Sequence, residues 1–110
     1  RDSDAEVTDL GLEVSGAYGV NVPFSEIDSI ALLEELPQVL TRIHGISTGA
    51  LSKGKYKGEH SAIRYHLVVE HPTDLILAVY RKNEMPLFVA LETVSEQGLF
   101  EKLKAELDQL

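Results

Sequence analysis

The 110 residues are enough for one domain with a single hydrophobic core, and we expect one domain over residues 1–110. The absence of Cys excludes thiol catalysis and thiolate metal ligands, and no apolar run reaches the roughly 18 residues of a membrane-spanning helix. The formal net charge of −8 comes from residues 1–36, which hold nine acidic side chains and one basic one, so a broad nucleic-acid interface is disfavoured.

The first part of the chain predicts a tail followed by a hairpin. Because RDSDAEV lacks the apolar core of a signal peptide, we expect residues 1–6 to be a disordered tail or a linker from an upstream segment. Leu12 and Val14 alternate with polar residues, SGAYG turns the chain, and Val20 and Val22 resume the alternation. The stretch FSEIDSIALLEELP fits either a helix or a strand, and we favour a turn followed by a strand.

The middle of the chain predicts further strands. Alternation over 39–43 indicates a strand that ends before Gly45, and LSKGKYKGEH is polar and glycine-rich, which is typical of a loop. Residues 63–69 form the clearest strand pattern. The run 75–80 is apolar on both faces and predicts a central strand, and 87–91 predicts the last strand.

The end of the chain predicts a helix. Thr93 and Glu96 have the spacing of a capping box, and we expect a helix over 94–109. Its apolar stripe consists of Val94, Leu99, Phe100, Leu103, Leu107 and Leu110. About six or seven antiparallel strands and one final helix predict a mainly-β fold, α+β by content, in which a curved sheet or open barrel is capped by the helix.

The stretch GALSKGKY has the spacing of a phosphate-binding loop. Its last position should be Ser or Thr but is Tyr56, and a strand pattern follows where such a loop needs a helix. We therefore predict no nucleotide binding. The cations Lys53, Lys55 and Lys57 could instead contact a phosphate or an anionic lipid surface, or could simply be solvated and discourage edge pairing. If Tyr56 points inward on a strand, Lys55 and Lys57 point outward.

Histidines are the remaining candidates for a metal or catalytic site. His60 and His66 have the same parity along a strand, but Arg64 lies between them and would oppose a bound cation. No nucleophile-elbow sequence surrounds a Ser. We expect no catalytic residue, no metal ligand and no cofactor.

Several stretches together resemble the bacterial pleckstrin-homology-like (PH-like) domains, over about Leu12 to Leu107. They are Gly16, Tyr18 and Gly19 before PFSEI, then Leu36, Pro37, Arg42, Gly45, the segment Gly54 to Tyr56, and the helix Thr93 to Leu103. The resemblance implies a barrel of two near-orthogonal antiparallel sheets capped by a C-terminal helix, and it implies no catalytic site.

Three functional hypotheses follow. The first is a noncatalytic PH-like binding or assembly module that contacts a protein partner or another copy of itself through a sheet edge or an open barrel end. It would belong to a longer bacterial protein, either with or without a membrane anchor, as a soluble domain that is cytoplasmic or membrane-associated. The first alternative is peripheral binding of an anionic membrane or phosphate-bearing ligand through Lys53, Lys55 and Lys57. The second alternative is a metal-binding or enzymatic domain that uses His60 and His66.

Overall fold

The computed structural model of the protein describes residues 3–37, 40–48, 51–58, 62–70 and 75–110. Within these residues, nine strands precede one helix. The strands are β1 (Asp4–Val7), β2 (Gly11–Ser15), β3 (Val20–Pro23), β4 (Ile27–Leu33), β5 (Leu40–Thr48), β6 (Leu51–Gly58), β7 (Arg64–Val69), β8 (Ile76–Arg81) and β9 (Leu87–Ala90). The helix is α1 (Glu96–Leu107), and a 3₁₀ turn over Phe24–Glu26 introduces β4. The mainly-β fold with a C-terminal helix is confirmed.

The first three strands form a small antiparallel sheet in the order β1-β2-β3. The predicted hairpin is confirmed, with Leu12 opposite Val22 and Val14 opposite Val20. The predicted tail over 1–6 is wrong from Asp4 onward, because Asp4 to Glu6 belong to β1 and pair with β2. Ala5 anchors this strand, since its side chain is buried in the core.

The other six strands form a second sheet in the order β4-β8-β9-β7-β6-β5. The expectation of purely antiparallel sheets is wrong here, because β7 and β9 pair in parallel. The hairpin formed by β8 and β9 folds back so that β9 lies between β8 and β7. The predicted turn and strand over 24–33, the central strand over 75–80 and the strand over 87–91 are all present, with one-residue differences at some ends.

The stretch LSKGKYKGEH is a strand over most of its length, so its prediction as a loop was wrong. Strand β6 pairs with β5 on one side and with β7 on the other. Tyr56 is buried, and its hydroxyl donates a hydrogen bond to the carbonyl oxygen of Ile46 at 2.8 Å. Lys55 and Lys57 are exposed, which confirms the predicted alternation around Tyr56.

The link between β4 and β5 requires the six-stranded sheet to curve. These two strands lie at opposite ends of the sheet order and run in the same direction. In a flat sheet the end strands would be about 24 Å apart. The link from Leu33 to Leu40 can extend at most about 25 Å. Because β4 and β5 run in the same direction, this link must cover the distance between the two strands and also the distance back from the end of one strand to the start of the other. The two end strands do not pair with each other in the described residues, so a closed barrel is not shown.

Two apolar clusters lie on opposite faces of the six-stranded sheet. The first packs this sheet against the small sheet and α1, and it contains Leu12, Val14, Val22, Val68, Leu77, Val79, Leu87, Val89, Leu99 and Leu103 among others. The second contains Tyr56, Leu67, Val69, Ile76, Ala78, Phe88 and Ala90. Alternate residues of β7, β8 and β9 enter opposite clusters, which explains why these strands are apolar on both faces.

The helix begins at Glu96 with Ser95 as its N-cap. The Ser95 hydroxyl accepts a hydrogen bond from the amide of Gly98 at 3.0 Å. The predicted capping box with Thr93 is therefore wrong, because the Thr93 hydroxyl donates to the Ser3 carbonyl oxygen instead. Leu110 lies beyond the helix and is exposed, so it is not part of the buried stripe.

Replacing Ser95 by alanine is expected to lower the free energy of unfolding by about 1 kcal/mol, because the amide of Gly98 loses its acceptor. Urea unfolding measures the change. Ser25→Ala is the matched control, because Ser25 is exposed in the 3₁₀ turn and does not cap it. Equal stability of the two variants would contradict the assignment of Ser95 as the cap.

Candidate functional site

Lys53, one of the three predicted anion-binding lysines, is buried. Its side chain is 0% exposed, and its Nζ donates to Glu70 Oε2 at 3.0 Å and to Ser3 Oγ at 2.7 Å. Glu70 Oε1 also accepts a hydrogen bond from the amide of Glu92 at 3.3 Å. The prediction of a three-lysine surface is therefore corrected: Lys53 joins β6 to the end of β7 and to the N-terminal segment, and its ammonium is not available at the surface.

The environment of Glu70 predicts how stability depends on pH. Burial alone would raise the pKa of this carboxyl, but hydrogen bonds from Lys53 and from the amides of Glu92 and Ser3 outweigh burial, so its pKa lies below the ordinary 4.5. A carboxyl whose pKa is lowered by folding stabilises the fold fully above its unfolded pKa and loses that contribution as pH falls through the folded pKa.

The free energy of unfolding of the wild-type protein is therefore expected to fall from pH 5 toward pH 3 more steeply than that of Glu70→Gln, which has no carboxyl to protonate at this position. Urea unfolding at several pH values measures both curves. Parallel curves would show that the carboxylate of Glu70 has the same pKa in the folded and unfolded states.

Lys55 and Lys57 lie on one face of the sheet together with Arg64 and two histidines, and this group is called the cationic face. Lys55 stands opposite His44 of β5 and His66 of β7, and Lys57 stands opposite Arg64. Lys55, Lys57 and Arg64 are exposed, and among the described residues none of the three forms a salt bridge. Strands β5, β6 and β7 together hold five of the ten Lys and Arg residues and none of the 18 Asp and Glu residues. The positive charge of the chain is thus concentrated in one part of the sheet.

The tip of the β2–β3 hairpin lies against this face. Tyr18 has a left-handed backbone, with φ of 59°, and its carbonyl oxygen is 2.7 Å from His66 Nε2. Because a carbonyl only accepts, Nε2 carries the hydrogen. The ring of His44 meets the ring of Tyr18 edge-on at 5.5 Å between centroids. The hairpin thereby covers part of the face and leaves Lys55 exposed.

His66 has a structural partner. Burial of its ring lowers its pKa, the positive charges of Arg81 and Lys55 lower it further, and the bond to Tyr18 opposes them. The ring is therefore neutral at pH 7 and holds the hairpin tip. His60, its predicted companion in a metal site, lies outside the described residues. Within the described ranges, no group of three or more His, Asp or Glu side chains could hold a metal ion.

Strand β5 is an open edge of the six-stranded sheet. It is nine residues long and pairs only with β6 in the described part of the chain. Its side chains from Arg42 onward are mostly exposed, including the large apolar residues Ile43 and Ile46, which are 41% and 42% exposed. The register with β6 shifts between Arg42 and His44, which puts Arg42 on the opposite face from His44. Exposed β-branched residues on a long unpaired strand favour pairing with another chain.

The other edges are less suited to pairing. Strand β4 contacts α1, and its side chains from Ile30 to Leu33 are half-buried. Strand β1 has only four residues. The edge of β5 therefore combines the greatest length with the greatest exposure.

A surface hollow of about 440 Å³ lies on the β2–β3 hairpin, and Glu13 is the only titratable side chain that lines it.

Comparisons of the chain with protein-family models, with curated proteins and with solved structures find no match. Among the residues that the structure describes, no helix has the length and apolar character to cross a membrane. The class defined by the structure is a mainly-β domain of two sheets and a C-terminal helix, and its candidate site is the β5 edge with the adjoining cationic face.

Proposed function

We propose that the protein is a noncatalytic binding module that takes up an extended segment of a partner protein along β5. The observation that carries this proposal is the edge of β5, nine residues long, with Ile43 and Ile46 exposed and with no pairing partner other than β6 among the described residues. Strand addition satisfies the unpaired amides and carbonyls of such an edge, and alternate side chains provide specificity. The resemblance to bacterial PH-like domains accords with a binding role, and membership of that family is part of the proposal.

A selection of displayed random ten-residue peptides on the purified domain tests this function. We expect the selected peptides to bind the wild-type protein and to bind Ile46→Glu at least about tenfold more weakly, because a charged side chain on an edge strand opposes further pairing. Ile63→Glu is the matched control, since Ile63 is also exposed but precedes β7 and lies outside β5. Peptides that bind Ile46→Glu and the wild type equally would rule out β5 as the binding edge.

A second candidate function rests on the exposed cations Lys55, Lys57 and Arg64, which share one face of the sheet. Such a group attracts anionic membranes by about 1 kcal/mol per charge, and the attraction weakens with salt. Sedimentation with anionic and neutral vesicles, using wild type and Lys55→Gln/Lys57→Gln, tests it. Binding to anionic vesicles that the double variant loses supports this function, and binding that survives in the variant contradicts it.

A further inference from the structure

We infer that the segment taken up along β5 is acidic and belongs to a different protein rather than to a second copy of this chain. This inference rests on the proposed function and adds the chemistry of the ligand. Two observations carry it, the basic side chains on the two faces of the β5 edge and the absence of acidic residues from β5 and from the strands behind it. An argument about twofold pairing of β5 then separates the two possible occupants.

Basic side chains lie on both faces of the edge. An added strand would lie about 4.8 Å from β5, so its side chains would contact Arg42 on one face and His44 on the other. Lys55 stands behind His44, at about 10 Å from the added strand, and Lys57 follows it on the same face. This distance is close to the Debye length of roughly 8 Å at physiological ionic strength, so Lys55 still contributes to the potential at the edge.

Acidic side chains do not balance these charges within the strands. None of the 18 Asp and Glu residues belongs to β5, β6 or β7, and the buried Glu70 that follows β7 is bound to Lys53. The contrast is marked because the chain as a whole has a net charge of −8. A partner with carboxylates on both faces of an extended segment would therefore complement Arg42 on one side and His44 with Lys55 on the other.

A second copy fits this edge poorly. Antiparallel pairing of two β5 strands about a twofold axis would bring the cationic edges of both copies together. A second β5 has no Asp or Glu side chain to complement Arg42, and it adds its own Arg42 to the shared edge. The same cations attract an acidic segment, so the charge of the edge discriminates between the two occupants.

Fluorescein-labelled ten-residue peptides in which pairs of Thr alternate with pairs of Glu, Gln or Lys test the inference by fluorescence anisotropy, because paired positions place the variable residues on both faces of an extended strand. We expect the Glu peptide to bind at least about tenfold more tightly than the Gln peptide, and the Lys peptide not to bind. A fourth peptide, the Glu peptide with its four central amides N-methylated, is expected to lose binding, because it cannot form the backbone bonds of an added strand.

Paired variants locate the binding site. Arg42→Gln/Lys55→Gln is expected to weaken binding of the Glu peptide about fivefold or more, whereas Lys102→Gln/Lys104→Gln, which removes the same charge from the exposed side of α1, is expected to change it less than twofold. Equal binding of the Glu and Gln peptides would overturn the acidic preference and leave strand addition standing. No binding of the Glu peptide would overturn the inference, and the display selection would then decide the proposed function independently. Binding that survives N-methylation would overturn strand addition itself.

Discussion

Replacing Lys53 by alanine is expected to lower the free energy of unfolding by about 3 kcal/mol, because a buried ion pair is broken. The ammonium is completely buried and bridges Glu70 and Ser3, whose carboxylate and hydroxyl lose this donor in the variant. Removing one partner of a buried ion pair leaves the other charge uncompensated, which costs about 3–5 kcal/mol, although the intact pair adds little net stability over an apolar replacement. Urea unfolding followed by circular dichroism measures the loss.

Lys55→Ala is the matched control for this prediction. Lys55 lies two residues further along β6 on the same face, but it is exposed and forms no salt bridge with the described residues. Its replacement is expected to change stability by less than about 0.5 kcal/mol. If Lys53→Ala and Lys55→Ala unfold at the same urea concentration, Lys53 is not buried in the ion pair described above.

Gly54→Ala is expected to lower the free energy of unfolding by about 3 kcal/mol or more. Gly54 and Gly45 face each other across β6 and β5 with φ of 130° and 143°, a region that L side chains rarely adopt. A Cβ at Gly54 would lie 2.2 Å from the carbonyl oxygen of His44. The backbone must move to admit even a methyl group, and that movement disrupts the pairing of the edge strand.

Gly98→Ala is a control for which the expected change in the free energy of unfolding has the opposite sign. Gly98 lies in the first turn of α1. The atoms nearest to a Cβ added at this position would be Oγ and Cβ of Ser95, at 3.4 and 3.5 Å. Alanine is expected to stabilise the protein here by about 0.5–1 kcal/mol, because glycine has the lower helix propensity. A loss of stability at position 98, or no loss at position 54, would contradict the local geometry described for these two glycines.

Local patterns predicted most of the elements, because apolar periodicity directly reports which faces are buried. The β2–β3 hairpin, the strands over 64–69 and 76–81 and the helix all follow from such patterns. The pattern failed at β6, whose Lys and Gly residues resemble a loop although they alternate around Tyr56 with a strand period. The parallel pairing of β7 with β9 was not predictable from local pattern, because it depends on how the β8–β9 hairpin folds back onto the sheet.

The candidate site could be predicted only in part for a similar reason. Lys53, Lys55 and Lys57 have identical parity on β6, and no local signal separates the buried cation from the two exposed ones. The difference arises because Lys53 lies opposite Val68 and close to Glu70, in a region covered by the N-terminal segment through Ser3. The position of β5 at the edge of the sheet likewise depends on the order of the strands, which the local sequence does not specify.

Amide hydrogen exchange of the ¹⁵N-labelled domain, without and with saturating Glu–Thr peptide, tests most directly the claim that β5 accepts a partner strand. Neighbouring amides of a strand point alternately to its two sides, so about half of those over residues 42–48 face away from β6. These outward amides are expected to exchange quickly in the free protein and to slow at least about tenfold in the complex, while amides of β4 do not change. Slowing confined to β4 or to α1, or no slowing along β5 in the saturated complex, would contradict it.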